Sequence, residues 1–217
     1  VSTSMPSVLL TASCTALPVR RSAAAIRSSS LVRPSRQPRV TFNEKPAPAN
    51  PTNALTDIKL IRETVDHWAK TSGQKPIIVC DNTMMGPVFQ RPIEFGADIC
   101  VYSLTKYVGG HSDLVSGGIT GSAEMLQPIR QARSAYGFQL DPHSSWMLAR
   151  SMETLSLRME RAAESGRKVA QWLAQNDMIP CDIMHPEFTN DPKQRDIYDS
   201  QCSGPGSTFS FVVEDNR

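Results

Sequence analysis

The chain has 217 residues, 40% of them hydrophobic, and a formal net charge of +2. That is apolar material for one good-sized core, or for one domain and part of another. The near-neutral charge removes any global electrostatic case for nucleic acid or a membrane surface, and no apolar run approaches the ~18 residues of a membrane helix, which predicts a soluble protein.

Residues 1–41 differ in composition from everything after them. They hold six arginines (Arg20, Arg21, Arg27, Arg33, Arg36, Arg39), many Ser and Ala, and no acid precedes Glu44. Two readings stand: an organellar transit peptide, or a disordered basic arm. The location is accordingly cytoplasmic, or mitochondrial or plastid if the segment is a transit peptide. The five cysteines, Cys14, Cys80, Cys100, Cys181 and Cys202, are scattered and odd in number. Cys80 and Cys100 lie in apolar runs, where a thiol acts as a small hydrophobe rather than a redox or metal group.

Residues 46–53 (PAPANPTN) are turn-rich and lead into the globular part. Residues 56–70 space Ile58, Ile61, Val65 and Trp68 at helical intervals, with Thr56 placed to cap the start. His67 in this helix reads as a solvated surface residue. Ser72-Gly73 closes the helix. Two strand-length apolar runs follow, at 77–80 (IIVC) and 99–102 (ICVY), separated by a loop and a short helix at 91–95. The alternation is that of a βαβ unit and predicts a largely parallel sheet.

Each apolar run stops at a polar cluster: Asp81-Asn82-Thr83 after the first, Ser103-Leu104-Thr105-Lys106 after the second. Ligands of α/β proteins sit outside the carboxyl ends of parallel strands, so both clusters should face one crevice. A lysine is by default a surface charge. Lys106, however, follows a strand and two hydroxyl residues and precedes Gly109-Gly110, where backbone can approach a ligand closely. A lysine amine held there can form a Schiff base with a carbonyl. Asp81 has two readings: a turn residue bonding its own backbone, or a carboxylate that keeps a heterocyclic nitrogen protonated. Ser103 and Thr105 alternate around Leu104 and can both donate hydroxyls to a phosphate. An acid, two hydroxyls and an amine suit a phosphorylated, carbonyl-bearing, nitrogen-heterocyclic cofactor, which is pyridoxal 5′-phosphate (PLP).

The sequence D-N-T, then Q-R-P, G-A-D-hydrophobic, S-L-T-K-Y and G-H-S-D resembles the Cys/Met-metabolism PLP-dependent enzymes. These include cystathionine γ-synthase, cystathionine γ-lyase and methionine γ-lyase. The resemblance implies an α/β PLP-dependent transferase large domain (aspartate aminotransferase-like, fold type I), incomplete, with the start of the small C-terminal domain. It implies Lys106 as the Schiff-base lysine, Asp81 as partner of the pyridine nitrogen, and Ser103 and Thr105 as phosphate ligands. Residues 47–51 (APANP) resemble the family's S-P-T-N-P segment, which makes Asn50 the donor to the cofactor's phenolic oxygen. His111-Ser112-Asp113 lacks the partners of a metal site or a catalytic triad, and in the family lies just after the lysine, where it supports the loop.

Further along, residues 122–136 read as a helix with Met125, Leu126 and Ile129 inward, interrupted by Pro128. Residues 144–176 carry one long helical pattern with a charged face at Arg158, Glu160 and Arg161. Arg158 reads as a solvated or interface charge. Residues 201–212 form a glycine turn feeding an alternating strand. The expected organisation is 1–45 as a disordered or transit-peptide-like segment, 46–175 as part of the PLP-binding α/β domain, and 176–217 as the beginning of the small domain. By resemblance the chain matches the middle portion of a family member. The upstream cofactor contacts and the arginine that grips the substrate carboxylate fall outside it.

The expected function is γ-elimination or γ-replacement on a small sulfur amino acid (cystathionine, methionine or an activated homoserine), in a homo-oligomer that by resemblance is a tetramer built of dimers. The alternatives are a truncated, non-catalytic PLP-binding or assembly partner, and an unrelated phosphate-binding α/β module.

Overall fold

The computed structural model describes residues 10–12, 49, 52–176 and 181–213. At its centre is a four-stranded sheet in the order β1–β4–β3–β2, formed by Leu10–Ala12 (β1), Val79–Asp81 (β2), Ile99–Ser103 (β3) and Gly117–Gly121 (β4). β2 and β3 are parallel, with Val79 opposite Ile99 and Asp81 opposite Val101. β4 runs antiparallel to β3, and β1 antiparallel to β4. The expected largely parallel sheet is therefore corrected: of the three pairings in this sheet, one is parallel. The reason is the connection. No helix intervenes between β3 and β4, and without a crossover element the chain can only return antiparallel.

The strand β4 goes unread in the sequence because glycine is a poor strand former. Its glycines serve close approach instead. A Cβ on Gly118 would come within 3.0 Å of the Leu104 side chain, and one on Gly121 within 3.0 Å of the Asp98 carbonyl.

Helix α1 spans Ile58–Ser72. Its cap is Asp57, whose carboxylate accepts from the Leu60 amide at 2.9 Å; Thr56, the expected cap, lies one residue outside. Gly73 ends the helix in the left-handed conformation at φ 69°. Ile58 and Val65 pack with Ile78, Cys80, Ala97 and Cys100 into one buried cluster against the sheet. Trp68 stays exposed, as does His67. Between β2 and β3 lie a short helix α2 (Gly86–Phe89) and a 3₁₀ turn at Pro92–Phe95, the latter where a short helix is expected.

Helix α3 (Ala123–Tyr136) starts at Ser122, whose hydroxyl accepts from Met125 N; it buries Leu126 and carries Pro128 on an exposed face without breaking. The expected single helical stretch over 144–176 is two helices, α4 (Pro142–Met152) and α5 (Leu155–Ala174). At the break, Glu153 N bonds Arg150 O and Thr154 N bonds Ser151 O. That three-residue spacing tightens the last turn and ends α4.

The last part holds β5 (Cys181–Met184), a 3₁₀ turn at Pro186–Phe188, helix α6 (Pro192–Gln201) and β6 (Ser210–Val213), with β5 and β6 paired antiparallel. The segment ahead of α1 is stitched to it. Asn53 Nδ2 donates to Met184 O at 2.9 Å, Leu55 N to Gln194 Oε1 at 2.6 Å and Ile58 N to Gln201 Oε1 at 3.0 Å.

Candidate functional site

Parallel pairing sets the carboxyl ends of β2 and β3 side by side, and the two polar clusters meet there. The Ser103 amide donates to Thr83 Oγ1 at 2.8 Å, joining them directly. Beyond Ser103 the chain makes a tight, doubly closed loop. Lys106 N bonds Ser103 O at 3.1 Å, Gly109 N bonds Leu104 O at 2.7 Å and Gly110 N bonds Lys106 O at 2.8 Å. Leu104 and Val108, two residues either side of Lys106, are buried with Leu114 and Leu148. Apolar burial of about 2 kcal/mol for each such side chain pins the loop on both flanks. Lys106 itself is exposed.

That loop walls a cleft of about 920 Å³, lined by Thr83, Thr105, Lys106, Tyr107, Arg158 and Met159 among others. The expected residues divide there. Lys106 and Thr105 line the cleft; Asp81 and Ser103 do not, but each is hydrogen-bonded to Thr83, which does. Asp81 Oδ1 accepts from its neighbour's amide, Thr83 N, at 3.0 Å, the self-bonded turn that is one of its two readings. The Thr105 hydroxyl donates to Ser116 O at 3.2 Å and accepts from Ser116 N at 2.9 Å, fixing the return of the chain toward β4. Asn50 lies outside the described residues. Its neighbour Ala49 is buried and bonded through Ala49 N to Ala54 O and through its carbonyl to Asn53 N.

Two residues carry more than their local sequence suggests. Asn82 is wholly buried, and its Nδ2 donates to Gly86 O at 3.0 Å and Gln90 O at 2.9 Å, holding the turn after β2. Arg158, read from the sequence as a solvated or interface charge, instead reaches the Lys106 loop: its Nη1 donates to Tyr107 O at 2.7 Å and its Nη2 to Val108 O at 3.0 Å. Its partners lie 50 and 51 positions away, so no local pattern could have shown this. His111 bonds its own loop, with Nδ1 2.7 Å from Gly109 O.

Burial pushes the Cys80 thiol up to about 12, the Cys100 thiol to about 11 and the Cys202 thiol to about 12. A thiol held protonated is a poor nucleophile and a poor metal ligand, as the core reading of Cys80 and Cys100 requires. The Tyr102 phenol, also buried, rises to about 12.

A family model described as Cys/Met metabolism PLP-dependent enzyme matches residues 22–217. The chain belongs to this family. The match takes in residues 22–45, which composition alone sets apart. Cystathionine gamma-lyase of Bacillus subtilis (strain 168) is 36% identical over 167 residues, covering 76% of this chain and 42% of that protein. The chloroplastic cystathionine beta-lyase of Arabidopsis thaliana is 32% identical over 168 residues, covering 77% of this chain and 34% of that one. Among solved structures, cystathionine gamma synthase from Xanthomonas oryzae pv. oryzae, in complex with aminoacrylate and cysteine, superposes with a TM-score of 0.70 at 30% identity. That superposition covers 79% of this chain and 42% of the synthase. The chain thus spans less than half the length of these relatives, and its fold is part of a fold type I PLP-dependent enzyme.

Family membership brings pyridoxal 5′-phosphate as the cofactor, and the donor set fits it. An exposed amine, a half-buried hydroxyl and a guanidinium share one cleft wall. These are the groups that take a carbonyl and an anion. Among the described residues, no helix is long and apolar enough to cross a membrane.

Proposed function

We propose that this chain carries part of the active site of a PLP-dependent enzyme of sulfur amino-acid metabolism. Its reaction is γ-elimination or γ-replacement on cystathionine, methionine or an activated homoserine, and Lys106 is the amine that takes the cofactor's carbonyl. The observation that carries this reading is the Lys106 loop: closed by its own backbone bonds, pinned by Leu104 and Val108, and exposing the lysine to the cleft. A backbone so held places the amine without freezing its four-carbon stem.

Bound PLP supplies the electron sink that acidifies the substrate's α-carbon. The remaining steps fall to the chain's own residues. Lys106 would hold the cofactor's carbonyl, and its amine, when free, would move a proton between substrate carbons, since its flexible stem lets one amine serve neighbouring atoms. Asp81 at the end of β2 favours the protonated ring nitrogen through its carboxylate charge. Only Oδ1 takes part in its turn bond. Ser103 and Thr105 contribute hydroxyls toward the phosphate, and Asn50 a donor toward the phenolic oxygen. For Thr105 this role requires its hydroxyl hydrogen to leave Ser116 O, a bond of 3.2 Å.

The three relatives named above carry three different reactions on related substrates, so the substrate rests on assay. Purified chain is mixed with PLP, reduced with borohydride and mapped by mass spectrometry; a label on Lys106 is expected. Turnover is then measured on cystathionine, methionine and an activated homoserine. Lys106→Ala abolishes label and turnover together, and elimination retained by that variant overturns the role. The alternative reading is a non-catalytic PLP-binding or assembly partner, which would label at Lys106 but turn nothing over. Association as a homo-oligomer is read by light scattering in the same preparation, and location (cytoplasm, mitochondrion or plastid) by tagging the native chain.

A further inference from the structure

The mechanism uses the lysine loop but does not say what holds its outer half. Backbone bonds close the inner half, and the carbonyls of Tyr107 and Val108 point away from it. Both are taken by one side chain, Arg158, from the first turn of α5. The same guanidinium also donates through Nη2 to Ser151 O at 2.7 Å and through Nε to Thr154 Oγ1 at 3.0 Å. It therefore ties the loop to the end of α4 and the start of α5 at the point where one helix breaks into two. All four acceptors are neutral oxygens, and among the described residues Arg158 makes no ion pair with a carboxylate. The cation is held by hydrogen bonds to these neutral oxygens, and Arg158 lines the cleft. Hydrogen bonds from a charged donor are roughly twice as strong as neutral ones.

Gly110 gives an independent sign that this contact is built. A Cβ there would lie 2.0 Å from Arg158 Nη1, so the guanidinium occupies the space that any larger residue needs. The glycine also sits at φ 77°, a conformation that L side chains rarely adopt.

We propose that Arg158 is a positioning residue for Lys106: by bonding the carbonyls of Tyr107 and Val108 it fixes the loop in the conformation that presents the amine to a carbonyl ligand. This rests on the reading of Lys106 as the cofactor lysine. A purely structural arginine would set stability and leave the chemistry of Lys106 alone; a positioning arginine changes both the loop and the bond formed there.

The test uses the full chain as wild type and as Arg158→Gln, Arg158→Lys, Gly110→Ala and the Arg158→Gln/Gly110→Ala double variant. Two quantities are read: amide exchange at Gly109 and Gly110, and the PLP concentration giving half-maximal borohydride-trapped label on Lys106. With the charged fork removed, Arg158→Gln is expected to speed exchange at both amides and to raise the half-labelling concentration, each by about tenfold, with exchange in β2 and β3 unchanged. Arg158→Lys keeps the charge but not the planar fork, so it recovers part of each effect. It also keeps the question open to experiment if Arg158→Gln fails to fold. Gly110→Ala displaces the guanidinium and should reproduce Arg158→Gln, so its effect shrinks in the double variant; comparing the two backgrounds cancels the cost of its positive φ.

Unchanged exchange, an unchanged half-labelling concentration, or effects of the two substitutions that multiply independently would each overturn the proposal. An unlabelled wild-type chain overturns the cofactor reading instead, and leaves the loop clamp to stand or fall on exchange alone.

Discussion

At the end of β2 the polar residues turn inward. Asp81 bonds the Thr83 amide, Asn82 is sealed beneath Gly86 and Gln90, and the Thr83 hydroxyl takes the Ser103 amide. At the end of β3 the apolar residues turn inward instead. Leu104 and Val108 go down into the core and Lys106 is left exposed. The two ends are adjacent in one sheet, with Asp81 opposite Val101, and their sequences are similarly polar. Both clusters are flanked by buried apolar residues, Cys80 and Met85 at one end and Leu104 and Val108 at the other; the difference lies in the polar side chains, which bond the local backbone after β2 and leave the Lys106 amine exposed after β3.

The largest effect expected is on chemistry. Lys106→Ala removes the borohydride-stable label that maps to position 106 while leaving the urea midpoint nearly unchanged, because the side chain it removes is exposed. A variant equally inert but unfolded would show that the lysine is structural after all. Leu104→Ala does the reverse. It opens a cavity under the loop and against Gly118, and should lower unfolding stability by about 3 kcal/mol, with labelling at Lys106 weakened through the loop. Urea denaturation followed by circular dichroism measures it.

Asn82→Ala leaves two carbonyls, Gly86 O and Gln90 O, without their donor in a buried turn. It should cost about 2 kcal/mol on the same scale. Its neighbour sharpens the contrast: Asp81→Asn keeps an oxygen that can accept from Thr83 N, so stability should move by less than about 0.5 kcal/mol. Cofactor labelling should nevertheless fall, because the carboxylate charge is gone. If labelling by Asp81→Asn equals wild type, the turn bond is all that Asp81 contributes.

The smallest effect lies beneath both ends, in the thiols of Cys80 and Cys100. Their folded values of about 12 and 11 stand above the ordinary thiol value of 9.0. As pH rises past 9 the unfolded chain loses thiol protons that the folded chain keeps, so this contribution is intact below pH 9 and is lost toward pH 11–12. The urea midpoint should therefore decline from pH 8 to pH 10, less so in Cys80→Ala. Alkylation of the native chain at pH 8 should reach the half-exposed Cys181 well before either.

Much of this was legible beforehand, for identifiable reasons. Helix α1, strands β2 and β3 and the short turn at Pro92–Phe95 declare themselves through apolar spacing and bounding turn residues, which are local properties. The family was legible because S-L-T-K-Y and its surroundings form a specific pattern. What stayed hidden was long-range or lacked a side-chain signal. β4 is three-fifths glycine and is a strand because β3 and β1 pair with it on either side. The break between α4 and α5 falls in a sequence whose helical spacing continues unbroken through Glu153 and Thr154. Asp57 displaced Thr56 as the cap because its carboxylate, not the threonine hydroxyl, reaches Leu60 N.

By itself, then, the sequence determined the elements with strong local periodicity and the family. The tertiary structure decided the direction of β4, the burial that exposes Lys106, and the joining of Arg158 to a loop 50 residues away. The physical reason is the range of the forces: propensity, capping and spacing act within a few residues, whereas a carbonyl finds its donor, and a methyl its cavity, only once the chain has closed on itself.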